Sequence, residues 1–258
     1  MAGPILVFDS GVGGLSVVEA LRRRLPAAAL AYACDNAMLP YGRREDAWLV
    51  ARIRAVCEAA VAASQCSVLV VACNTASTLA LETLRACLTV PVVGTVPAIK
   101  PAAEMSRSRQ IGLLATTATV ARPYTLRLIQ DFAADCHVTR IAADALVDEA
   151  ERLVAGASPD RATLRRALAA LWDVPDLDTV VLGCTHFPLL APWLAELAPR
   201  PVAWVDSGDA IARRVAQVVP ASAVAGGPSP SFATALDARV TRGLVGFGFA
   251  PPRRLALP

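Results

Sequence analysis

The chain has 258 residues, 55% of them hydrophobic and 18% charged, with a net charge of +3. That length suits one large α/β domain or two of ordinary size, and the apolar content fills a substantial core. The small charge, with arginine pairs scattered over predicted helices, argues against a nucleic-acid partner, and no apolar run nears the ~20 residues of a membrane span.

Further exclusions come from single residue types. Lys100 is the one lysine and sits against a proline, which nearly removes catalytic-lysine chemistry, pyridoxal phosphate included. Seven cysteines lack framework spacing, so free thiols are expected. The opening "MAGPILVFDSG" has neither the basic start nor the cleavage site of a secretory signal, so a cytoplasmic protein is expected.

Short runs of Val, Ile and Leu alternate with segments of helical period, the pattern of parallel sheets covered by helices. The first run, "ILVF" from Ile5, enters the turn "DSGVGGLS". An aspartate such as Asp9 in that place is most often a cap, but its carboxylate can also act as a base or bind an ammonium group. The glycines allow close backbone approach and the following helix start favours anions, so the turn reads as a carboxylate or phosphate cradle. As a dinucleotide fingerprint it fails at Ser16.

"LAYAC" from Leu30 is the second strand, followed by "LPYG" and by the clearest helix, Arg44 to Ser64, with Leu49, Ile53, Val56 and Ala60 on one face. "VLVVA" from Val68 and "VPVVG" from Val90 come next. After the proline-bearing "GTVPAIKPA" the series restarts with "IGLLA" from Ile111, "HVTRIA" from His137, "TVVLG" from Thr179 and "VAWV" from Val202, which predicts two sheets. A second Asp-Ser-Gly in "VDSGDAI" from Val205 echoes the first turn, but its spacing to the cysteines differs, so the halves are expected to be alike in architecture only. "PASAVAGGPSPS" from Pro220 reads as a linker or mobile loop.

Ligands of open α/β sheets bind beyond the carboxyl ends of the strands. Two cysteines stand there, Cys73 in "VVACNTAS" and Cys184 in "VLGCTHFP", each beside polar residues: Asn74 and Thr75, Thr185 and His186. A buried structural thiol explains none of these neighbours, whereas Cys57, Cys66, Cys87 and Cys136 read as inert. His186 can pass protons to Cys184 or lower its pKa; His137 reads as an ordinary, partly buried histidine. Cys184 and His186 are too close in the chain for a zinc pair, and no Cys-x-x-Cys is present, so no metal is expected.

"DSGVGGLSV", "LPYG", "ACNTAS" and "GCTHFPLL" together resemble, in order and spacing, the signature segments of glutamate racemases of the aspartate/glutamate racemase superfamily, over roughly residues 5–219. The resemblance implies two similar α/β domains with the active site in the cleft between them. The first would comprise residues 1–97 with 207–258, the second residues 98–206. It further implies inversion of glutamate without cofactor, Cys73 and Cys184 acting as acid and base on opposite faces, with Asp9 assisting the first and His186 the second. Asp9, Ser10, Pro40, Tyr41, Gly42, Asn74, Thr75, Thr185, His186 and one of Thr116 or Thr117 would hold the substrate.

The acidic residue supporting the second cysteine is left open among Asp148, Glu149 and Glu151. Only a few residues precede Asp9, so the resemblance leaves open whether the chain shares the control by a cell-wall precursor that some relatives exert through an N-terminal extension. D-glutamate for peptidoglycan is the implied product, glutamate the small-molecule partner, and a homodimer is left open. The competing readings are an aspartate or hydantoin racemase, a one-thiol decarboxylase, a cysteine hydrolase using Cys184 with His186, and a binding protein on the same fold.

Overall fold

The computed structural model describes residues 3–219 and 229–257. Most of the segment read as a linker, residues 220–228, lies outside the described residues. The first part of the chain runs β1 (Ile5–Asp9), α1 (Leu15–Arg24), β2 (Leu30–Cys34), α2 (Asp46–Ser64), β3 (Val68–Val71), α3 (Asn74–Cys87) and β4 (Val92–Gly94). Then follow α4 (Ile99–Met105), β5 (Gln110–Ala115), α5 (Thr117–Ala121), α6 (Pro123–Phe132), β6 (His137–Ala142), α7 (Ala145–Val154), α8 (Arg161–Trp172), β7 (Thr179–Leu182), α9 (Ala191–Leu197) and β8 (Ala203–Val205). The last part is α10 (Gly208–Val218), β9 (Ser231–Ala233), α11 (Ala238–Gly246) and β10 (Arg253–Arg254).

These strands form two parallel sheets, ordered β10-β9-β2-β1-β3-β4 and β6-β5-β7-β8. All eight strands read from the sequence are present. β9 and β10 were not expected. β10 is Arg253–Arg254, which has no apolar signal, and the linker reading ran to Ser231, which instead opens β9. His137 is also corrected: it is exposed, because β6 is an edge strand of the second sheet.

Each sheet is covered on both faces, and the alternation of side chains along a strand explains how. On β1, Ile5 and Val7 pack with Val17, Val18 and Leu21 of α1, whereas Leu6 and Phe8 pack with Leu49, Ile53 and Val56 of α2. In the second sheet Leu114, Val180 and Leu182 meet α7 and α8, while Ile111, Leu113 and Val181 meet α4. After β8 the chain returns to the first core, where Ile211, Ala212 and Val215 of α10 join the α1 side.

Asp35, just after β2, is fully buried, and its carboxylate is saturated by four donors. Arg52 supplies Nε (2.9 Å) and Nη2 (2.7 Å), Tyr41 its hydroxyl (2.9 Å) and Thr234 its hydroxyl (2.7 Å). The network ties α2, the Tyr41 turn and the segment after β9 into one unit. Arg52→Met would leave a buried charge with only neutral donors, so a stability loss of about 3 kcal/mol is expected. For a chain of this size that lowers Tm by roughly 6–12 °C. A melting curve of the variant matching the wild type would show that Asp35 does not depend on its ion pair.

Candidate active site

Because all strands are parallel, their carboxyl ends lie along one edge of each sheet. The residues at or just beyond the ends of β1, β3, β5 and β7 line one cleft: Asp9 and Ser10, Cys73 to Thr75, Thr116, and Cys184 to His186. Leu39, Pro40, Tyr41, Gly42, Thr119 and Val147 complete it. Cys73 comes from one sheet and Cys184 from the other.

The two thiols have unlike surroundings. Beside Cys73, Ser10 Oγ lies 3.7 Å from the sulfur. Asp9 accepts the Ser10 N–H on Oδ1 (2.6 Å) and the Thr185 hydroxyl on Oδ2 (3.2 Å). Burial pushes the Cys73 thiol well above its ordinary pKa and the Asp9 carboxylate adds to this. Cys73 therefore rests as a thiol, a proton donor.

Cys184 Sγ lies 3.7 Å from His186 Nδ1, and His186 Nε2 lies 2.8 Å from Glu151 Oε1. Burial disfavours the charged ring, but hydrogen bonds to Cys184 and then Glu151 outweigh it and carry the His186 pKa above its usual value. The carboxylate accepts from Nε2, so Nδ1 is the nitrogen that exchanges a proton with the sulfur. One thiol thus faces a carboxylate and the other an imidazole with its own carboxylate.

The glycine turn has an unexpected role. The Val12 N–H donates to Glu151 Oε1 (2.8 Å), so the anion seated in the predicted cradle is the protein's own side chain. A Cβ on Gly11 would stand 2.1 Å from that oxygen, and one on Gly13 would stand 2.3 Å from His186 Nδ1. Ser16, where the dinucleotide pattern breaks, ties the turn to the second half by donating to the Thr185 carbonyl (2.8 Å).

The three acidic candidates of α7 differ in what they reach: Asp148 and Glu151, three residues apart, share a helical face, and Glu149 lies off it. Asp148 is exposed. Glu149 is buried but accepts the Asp160 N–H (2.7 Å) and lies 3.8 Å from Arg152. Glu151 alone of the three reaches His186.

For a ligand, α3 offers its N-terminus. Its cap is Cys73, which makes no side-chain capping bond, so the first-turn N–H groups of Asn74 and Thr75 are available to a carboxylate. Asn74 Oδ1 is buried without a hydrogen-bond partner, an acceptor suited to an ammonium group. Tyr41 and Gly42 sit in a 3₁₀ turn over Tyr41–Arg43; the Tyr41 hydroxyl is committed to Asp35, so the turn presents backbone and ring.

Thr116 lines the cleft and shares a hydroxyl contact with Thr119 (3.1 Å). Thr117 does not line it: its N–H and hydroxyl both bond Asp144. Of the two threonines, then, only Thr116 joins the other site residues. Thr119, Leu39 and Val147 escaped the sequence reading; Thr119 carried a signal, since it lies one helical turn beyond Thr116. All seven cysteines are free thiols, and Cys57, Cys66, Cys87 and Cys136 lie away from the cleft. Among the described residues no three His, Cys, Asp or Glu side chains form a metal-binding group, and no helix is long and apolar enough to cross a membrane.

Two parallel sheets whose strand ends bring a thiol each to one polar cleft point to an amino-acid racemase, and the chain belongs to the Asp/Glu/hydantoin racemase family, which it matches over residues 7–215. Within that family its similarity is to glutamate racemases. It is 50% identical over 215 residues to the glutamate racemase of Shewanella sp. (strain MR-7), covering 83% of this chain and 79% of that one. It is 46% identical over 224 residues to that of Granulibacter bethesdensis, covering 87% and 81%.

Solved structures agree. The Escherichia coli glutamate racemase in complex with L-glutamate and the activator UDP-MurNAc-ala superposes with a TM-score of 0.94 at 40% identity, over 100% of both chains. A glutamate racemase isoform of Bacillus anthracis gives 0.80 at 26% identity, over 99% of this chain and 98% of the other.

Proposed function

We infer that this chain is an isomerase that interconverts L- and D-glutamate in the cytoplasm and supplies the D-enantiomer for peptidoglycan. The observation that carries the mechanism is the pair Cys73 and Cys184 in one cleft with unlike partners. With L-glutamate, the Cys184 thiolate takes the α-proton, the C–H electron pair stays on Cα and spreads into the carboxylate, and the Cys73 thiol returns a proton to the opposite face. With D-glutamate the two exchange roles.

His186, oriented by Glu151, manages the proton of Cys184. Asp9 serves the other side; its charge favours the Cys73 thiol and it accepts from Ser10 and Thr185, so it joins both walls. The N–H groups of Asn74, Thr75 and Thr185 hold a substrate carboxylate and Asn74 Oδ1 the ammonium, with Ser10, Pro40, Tyr41, Gly42 and Thr116 closing the site.

The proposed division into residues 1–97 with 207–258, and 98–206, is supported by the sheets: every strand of the four-stranded one falls between Gln110 and Val205. A cysteine hydrolase built on Cys184 and His186 would leave Cys73 and its partners without a task.

The test is incubation of the purified protein with each enantiomer of glutamate and of aspartate in deuterated water, with and without prior dialysis against a chelator. Deuterium is expected at Cα of inverted glutamate, with lower kcat/KM for aspartate and no effect of the chelator. Equal kcat/KM for the two acids would overturn the substrate assignment, and inversion without deuterium at Cα would overturn the mechanism.

A further inference from the structure

We propose that Asp46 and Arg122 form a positioning clasp that sets the two walls of the cleft against each other at its mouth; this rests on the function inferred above. Arg122 Nη1 and Nη2 donate to the two oxygens of Asp46 at 2.7 and 2.9 Å, a two-pronged fit that fixes orientation as well as distance. Asp46 opens α2, three residues beyond the Tyr41–Arg43 turn. Arg122 directly follows α5, whose approach carries Thr116 and which contains Thr119. The pair therefore joins the segment bearing Tyr41 and Gly42 to the segment bearing Thr116 and Thr119, both of which line the cleft.

Three observations give the pair this task. Among the described residues, it is the ion pair that links the part of the chain carrying β1–β4 to the part carrying β5–β8; the others lie within one half or between α1 and α10. The walls already touch there, since a Cβ on Gly42 would lie 3.1 Å from that of Ala118. And the two thiols are only 6% and 8% exposed, so glutamate reaches them after the walls part and is enclosed when they meet again.

Fold stability is a poor reason for the pair. The Asp46 side chain is 55% exposed and that of Arg122 17%, and a pair open to solvent on one side contributes at most about 1 kcal/mol to stability. Arg122 Nε, moreover, is buried without a partner, which costs rather than stabilises. What the clasp selects is the closed arrangement of the walls. Its loss should weaken substrate binding and leave the chemical step almost untouched.

The experiment compares Asp46→Asn, Arg122→Ala, their combination and Arg122→Lys with wild type in KM, kcat and Tm. Each single loss is expected to raise KM for both enantiomers about fivefold, the scale of one partly exposed ion pair, with kcat and Tm nearly unchanged. The combination should do no more than either alone, because one contact is removed once. Arg122→Lys, which keeps the charge without the fork, should fall between.

An unchanged KM in Asp46→Asn overturns the clasp. So does an effect confined to Arg122→Ala, which would mean that Arg122 contacts the substrate itself. Additive effects overturn it as well. If Arg122→Ala fails to fold, Asp46→Asn decides. Absence of glutamate racemisation in the wild type would instead overturn the underlying function.

Discussion

Cys73→Ala and Cys184→Ala are each expected to abolish net racemisation, since inversion at Cα needs a base on one face and an acid on the other. The two variants should nevertheless differ in what they retain. A protein keeping only Cys184 still has His186 and Glu151 to manage the sulfur's proton. It should therefore wash deuterium into L-glutamate with retention of configuration. A protein keeping only Cys73 depends on a thiol that burial and Asp9 hold protonated, so its exchange of D-glutamate should be the slower of the two.

Proton NMR of the Cα–H signal in deuterated water, for both variants and both enantiomers, measures this directly. Cys57→Ala, which removes a buried thiol away from the cleft, serves as the control with wild-type racemisation. A single variant of Cys73 or Cys184 that racemises at the wild-type rate would exclude the two-base assignment.

The second large effect is expected from a residue with no chemistry of its own. Gly13→Ala would put a methyl group 2.3 Å from His186 Nδ1, 2.6 Å from its Cε1 and 2.8 Å from Asp9 Oδ2. The ring has little room to yield, being 3% exposed and bonded behind to Glu151. Gly13 is not among the positive-φ glycines, so the backbone itself tolerates alanine and the damage is confined to the site.

A displacement near 1 Å of a catalytic group costs on the order of 100-fold in rate, and kcat should fall by about that much in both directions. Circular dichroism should show the fold retained. Gly246→Ala is the matching control, because nothing lies within 4 Å of its added Cβ. A Gly13→Ala protein with wild-type kcat would show that His186 and Asp9 need not hold these positions.

The local features of the molecule were legible in the chain. The apolar runs from Ile5, Val68 and Thr179 became β1, β3 and β7, and the face Leu49, Ile53, Val56 and Ala60 became the buried face of α2. Cys73 and Cys184 could be singled out because a strand end and its polar neighbours are contiguous in sequence, and parallel strands gather such ends at one edge. Other features depended on how distant segments pack.

The choice of Glu151 follows from how α7 docks: Glu149 lies off the face that meets His186, Asp148 shares that face but stays exposed one turn earlier, and a Val12 N–H far away in the chain holds Glu151. Thr116 and Thr117 are adjacent and chemically alike; Asp144 draws the second one away. The glycine turn, read as a cradle for a phosphate or carboxylate, instead directs one backbone N–H, that of Val12, to Glu151 from the other half of the molecule. Periodicity and spacing encode what a segment does with its neighbours in sequence. Which groups meet across the cleft is decided by the docking of two cores, and that docking exists only in the folded chain.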